Sequence, residues 1–109
     1  MRITINIYYT GTRPGSAAAC AEEMERRGRA DRIREEKGNL RYEYFIPMGD
    51  PETVLLIDSW EDEAALDAHH ASPMMAVIAA LREKYDLHMT VERYTGAETP
   101  ETENRFIRK

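Results

Sequence analysis

The stretch ALDAHHASPMM, Ala65 to Met75, holds the residues best suited to chemistry. His69 and His70 sit side by side where a helical pattern ends, Ala-Ser-Pro interrupts the chain, and Met74 and Met75 open the next apolar run. An imidazole titrates near neutral pH, so it can take up a proton under ordinary conditions. A break beside it lets flanking side chains face a cavity, and methionine gives that cavity an adaptable apolar wall. His69 is therefore the candidate base. Asn6, Tyr8, Trp60 and His70 are candidate hydrogen-bonding groups, and Leu66, Met74 and Met75 the candidate lining. Each has a packing alternative. A histidine on the face of Leu66 can be half-buried and structural, Trp60 can be core, and a methionine stripe at helical spacing is core before it is pocket.

Other chemistries find little support. Adjacent histidines diverge by about 100° on a helix, and His88 is remote in sequence, so no metal site is expected. No glycine-rich phosphate loop of the usual spacing occurs. Asp58 and Glu92 belong to separate strand patterns and do not read as a carboxylate pair. Cys20 is the one cysteine, in an alanine-rich stretch that suits a small buried thiol better than a nucleophile.

Those residues need elements to position them. RITINIYY alternates, with Ile3, Ile5, Ile7 and Tyr9 on one side and Arg2, Thr4, Asn6 and Tyr8 on the other, which predicts a strand. Gly11 to Gly15 reads as a loop and Ser16 as the N-cap of a helix. Ala17, Cys20, Ala21 and Met24 form a stripe that slips phase at Gly28 and resumes at Ala30 and Ile33, so a break there is predicted. Between Glu22 and Lys37 lie six acidic and six basic residues, the mark of a solvated face. Gly38-Asn39 ends the helix. NLRYEYFIP is a second strand, Asp50-Pro51 a hairpin turn, and TVLLIDSW a third strand whose centre does not alternate. Glu61 to Glu63 open a helix that runs to about His70, and Ser72-Pro73 restart one. LHMTVERY is a fourth strand. The polar tail should form a short turn near Thr99-Pro100-Glu101, with Phe106 and Ile107 as an apolar anchor docked on the domain or on a partner chain.

A chain of 109 residues is one domain, here 1–95 with a 96–109 extension. The net charge of −5 argues against nucleic acid as the main partner. Apolar runs are too short to span a bilayer, and no leader pattern is seen at Met1. A cytoplasmic location with no membrane partner is the expectation.

The order strand, helix, strand, strand, helix, strand predicts an α+β fold of ferredoxin-like βαββαβ type. Right-handed crossovers place the first and third strands at the centre of a four-stranded antiparallel sheet, with the helices on one face. The third strand is apolar on both sides, and this chain has helices for only one of them. A second copy would cover the other, sheet against sheet, as a two-fold homodimer.

GNLRYEYF, then DPETVLLIDSWEDEAALDAHHASPMM, then VERY resemble the antibiotic biosynthesis monooxygenase-like family, including its quinol monooxygenases. The likeness spans Gly38 to Tyr94, with the first strand matching loosely. It implies a dimeric α+β barrel with a pocket in each subunit between sheet and helices. For some members it also implies oxidation of dihydroxyaromatic compounds by O2 with no cofactor. His69 falls where many members carry histidine, Met74 where a second histidine is common, and His70 where leucine is common. Asn6 corresponds to a pocket asparagine of haem-degrading relatives. Those relatives need a tryptophan at position 69 and a histidine ten residues on. This chain has His69 and Ala79, so haem degradation is not expected.

Ground-state O2 reacts poorly with closed-shell molecules, whereas a quinol that loses its phenolic proton becomes an electron donor. The site then needs a proton acceptor, groups that hold the phenolate, and a dry cavity. The expected function is a cofactor-free monooxygenase acting on a quinol or other dihydroxyaromatic. An isomerase or decarboxylase of a small metabolite, and a non-catalytic dimer binding a small aromatic ligand, are the alternatives that fold alone cannot separate.

Overall fold

Alternation of β-branched residues and a phase slip at one glycine account for most of the architecture. A computed structural model describes residues 1–109. The strands are β1 (Ile3–Gly11), β2 (Asn39–Phe45), β3 (Thr53–Trp60) and β4 (Leu87–Thr95). The helices are α1 (Ser16–Arg26), α2 (Arg29–Arg34), α3 (Glu63–His70) and α4 (Met74–Lys84), and a 3₁₀ turn spans Glu101–Phe106. The break between α1 and α2 falls at Gly28, whose φ of 72° is left-handed backbone.

The sheet is antiparallel throughout, in the order β2-β3-β1-β4, the expected ferredoxin-like arrangement. Register fixes the faces. Ile3, Ile7 and Tyr9 of β1 lie opposite Trp60, Leu56 and Val54 of β3, and all six are buried with Ala17, Cys20 and Met24 of α1 and Ile78 and Leu81 of α4. This is the helix-covered face. The other face carries Leu55 and Ile57 of β3 and Phe45 of β2, which are half-buried although no helix covers them. Beside them Thr4, Asn6 and Tyr8 of β1 pair with Tyr94, Glu92 and Thr90 of β4, and Arg41, Glu43 and Ser59 lie on the same face of β2 and β3, so the uncovered face has an apolar centre at Leu55, Ile57 and Phe45 with polar groups around it.

Two local expectations need correction, and a third narrows to its partner-chain alternative. Ser16 is the first residue of α1, its hydroxyl is buried without a partner, and left-handed Gly15 stands in the cap position, so this helix has no side-chain cap. Ser72 turns backward: its hydroxyl donates to the His69 carbonyl at 2.7 Å and closes the end of α3 instead of opening α4. The terminal turn forms, but residues 96–109 are exposed throughout, Phe106 and Ile107 included, and it does not dock on its own domain. One backbone bond, Gly96 N–H to the Arg2 carbonyl, ties its start to the sheet.

No helix of the structure is long and apolar enough to cross a membrane.

Candidate active site

The end of α3 presents His69 to the helix-covered face of the sheet. Asp62 caps the start of this helix by accepting from Ala65 N–H at 2.9 Å, and Leu66, 1% exposed, anchors it in the core. One turn on, the His69 ring stacks on Trp60 with centroids 4.7 Å apart and planes 26° from parallel. Its Nδ1 lies 3.0 and 3.1 Å from the two carboxylate oxygens of Glu36, in the turn after α2. With Nδ1–H donating to Glu36, the ring is held in one tautomer and Nε2, which has no hydrogen bond to protein, is the acceptor.

Trp60 is fully buried. Its indole N–H donates to Asp58 at 2.8 Å, so the donor expected to meet a ligand is already used. Truncating such a side chain typically costs about 3–5 kcal/mol, far more than one hydrogen bond contributes. Trp60 is a floor under His69 first. Asp58 itself is 5% exposed. Burial pushes its carboxyl up to about 6; the His69 charge and the indole bond each pull it part of the way back.

His69 and Asp58 edge a cleft of about 310 Å³ between the sheet and α3–α4, at the small end of the range for ligand pockets. Ile5, Ile7 and Leu56 form its floor, and Met75 and His70 its helix side. Met89 and Val91 of β4 stand at its open edge, 43% and 52% exposed. Arg82 of α4 and Arg93 of β4 add two guanidinium groups. Arg82 donates to the Tyr9 hydroxyl through Nε at 3.1 Å and Nη2 at 2.8 Å. Arg93 pairs with Glu63 of α3. His70 diverges from His69 and is exposed, and no three His, Cys, Asp or Glu side chains converge as metal ligands do. Two hollows are larger: about 480 Å³ between α1 and the end of β2, with no histidine, and about 490 Å³ beside Tyr8 and His88, where the histidine is exposed and no buried carboxylate orients it. Chemistry, not volume, selects the cleft at His69.

The structure thus brings His69, His70 and Met75 to one cleft and keeps the other sequence candidates out of it. Leu66 is core, and Met74 packs half-buried beside the core rather than on the cleft. Asn6 and Tyr8 point to the uncovered face, because strand parity sends them away from Ile5 and Ile7. They cannot touch a ligand lying in their own subunit's cleft. Asn6 Oδ1 is buried there with no partner. Sequence reasoning missed Glu36, Asp58, Arg82 and Arg93. The even-numbered parity that Asp58 shares with Trp60 was a usable signal; nothing in the sequence singles Glu36 out of its charged run.

A four-stranded antiparallel sheet of ferredoxin-like order, with a cleft between sheet and helices, defines a class of small α+β proteins. The chain belongs to the antibiotic biosynthesis monooxygenase family, whose model matches residues 2–81. Among solved structures it is similar to a Deinococcus radiodurans protein provisionally assigned as an antibiotic biosynthesis monooxygenase, at 19% identity and a TM-score of 0.75, covering 93% of this chain and 97% of that one. It is also similar to SnoaB, a cofactor-independent oxygenase from Streptomyces nogalater, at 18% identity and a TM-score of 0.73, covering 92% and 97%. A Pseudomonas aeruginosa protein matches at 22% identity and a TM-score of 0.70, covering 90% and 97%. Comparison with curated protein sequences finds no match.

Proposed function

We propose that the protein is a cofactor-independent monooxygenase that oxidises a quinol or other dihydroxyaromatic molecule with O2. The observation that carries this reading is His69, oriented through Nδ1 by Glu36 and offering Nε2 beside a largely apolar cleft. His69 takes the phenolic proton. The resulting anion gives an electron to O2, the radical pair recombines at carbon, and loss of water leaves a hydroxyquinone. A dihydroxyarene plus O2 balances as hydroxyquinone plus water, so the substrate itself supplies the electrons. The ionised Asp58 carboxylate favours the imidazolium that His69 becomes.

In this reading two copies associate through the uncovered sheet face. Leu55, Ile57 and Phe45 supply the apolar part of the contact, and the terminal turn with Phe106 and Ile107 lies on the mate. The compartment proposed is the cytoplasm, where Cys20 stays a buried free thiol.

Oxygen uptake with a panel of hydroquinones tests the activity. Native protein is expected to consume O2, and His69→Ala to lose at least about 100-fold of the rate while keeping its fold by circular dichroism. A panel that raises the melting temperature with no O2 consumed would leave a ligand-binding protein in place of an oxygenase.

A further inference from the structure

We propose that the cleft selects aromatic molecules bearing a carboxylate, and that Arg93 is the residue that selects them. This deepens the reading of the cleft as an aromatic-substrate site and rests on it. Register puts Arg93 of β4, Ile5 of β1, Asp58 of β3 and Tyr42 of β2 in one row across the helix-covered face. Adjacent strands lie about 4.8 Å apart, so Arg93 and Asp58 stand roughly 10 Å apart at the backbone with Ile5 between them. His69 and Asp58 edge one end of the cleft, and Arg93 edges the other. An aromatic ring lying on Ile5 and Ile7 has proton-transfer groups at one end and a guanidinium at the other.

The Arg93 side chain has one protein partner, Glu63, across the cleft on α3. Both side chains are half exposed, 50% and 57%, and a pair of that kind contributes little in water. A ligand carboxylate can therefore take the place of Glu63 and accept both arms of the guanidinium fork. Arg82 does not compete for this role, because Nε and Nη2 are both held by Tyr9; it adds positive potential at the wall. Around the cleft the two guanidinium groups face three carboxylates, Asp58, Glu36 on His69 and Glu63 on Arg93, so recognition rests on the Arg93 fork itself once Glu63 is displaced. The family match ends at residue 81, so membership says nothing about Arg93.

Isothermal titration with 2,5-dihydroxybenzoate and with its methyl ester tests the proposal. In native protein the acid should bind about tenfold or more tighter than the ester. Arg93→Ala should abolish that preference by bringing the affinity of the acid down to that of the ester, while Arg93→Lys, which keeps the charge and loses the fork, should retain part of it. Equal affinities in native protein, a preference that survives Arg93→Ala, or no binding of either compound would overturn the proposal. An oxygen electrode on the same samples separates the two readings. An Arg93-dependent preference with no O2 consumed supports selection and removes the oxygenase. Equal binding and equal O2 consumption of acid and ester keep the oxygenase and remove selection.

Discussion

Asp58 is buried beneath α3, where a negative charge loses most of its hydration. Its carboxyl titrates at about 6, against an ordinary value of 3.8. Below that pH it is neutral; above it, its charge favours the imidazolium formed when His69 accepts a proton. Oxygen consumption should therefore rise with pH through an inflection near 6, and Asp58→Asn should flatten that inflection. Stability runs the other way. The folded pKa lies above the unfolded one, so the folded state binds more protons between about 4 and about 6, and stability falls as pH rises through that window. Thermal unfolding should show Asp58→Asn more stable than native protein at pH 8, by up to roughly 3 kcal/mol, and nearly equal to it at pH 4. Identical pH profiles for variant and native protein would refute both statements. Glu36 shows why a site can escape sequence reading at this scale. It sits in a run of alternating charges whose spacing fits a solvated helix face, and its partner lies 33 residues away. Glu23, in the same run, is buried, because Lys84 and Tyr85 reach it from the far end of α4, whereas Glu36 is half-buried against His69. Tertiary partners, not local pattern, make these two exceptions.

Among the elements, the turn between α2 and β2 governs where Glu36 stands. Gly38 has a φ of 85°, and a Cβ there would lie 2.5 Å from the Ala65 Cβ of α3. Its carbonyl accepts from Glu61 N–H at 2.8 Å. The turn and the start of α3 thus meet backbone to side chain, with no room for a methyl group. Gly38→Ala should destabilise the fold by about 1–3 kcal/mol, from strained backbone and forced separation together. A denaturant midpoint equal to that of native protein would show that the contact gives way freely. The same substitution should slow oxygen consumption, since it shifts Glu36 against His69. Element order, the break at Gly28 and the position of α3 were legible because period and turn residues act locally. Capping was less so: Ser16 and Ser72 have the right residue type, but Gly15 and the His69 carbonyl supplied the competing geometry. Asn6 and Tyr8 were misplaced for a different reason. The first strand offers polar groups on one side and isoleucines on the other, and the isoleucine side turned out to be the cleft floor.

For the whole molecule, the uncovered sheet face sets the expectation. A domain whose central strand shows Leu55 and Ile57 to the side without helices should associate in solution. Sedimentation velocity is expected to show two chains for native protein at micromolar concentration and one chain for Ile57→Lys. A native protein that sediments as one chain would overturn the dimer, and the expectation for the terminal turn with it. The polar part of that face, where Asn6 Oδ1 lacks a partner, indicates hydrogen bonds as well as apolar contact in such an interface.

β4 is an edge strand, and from His88 onward every one of its residues is exposed. The groups proposed to handle the proton lie on β3, α3 and the turn after α2, whereas the arginine proposed to discriminate lies on this outermost ribbon. Swapping its inward side chains disturbs almost no interior packing. A protein engineer could thus retarget what enters the hollow by rewriting Met89, Val91 and Arg93 alone, with the reaction machinery left untouched.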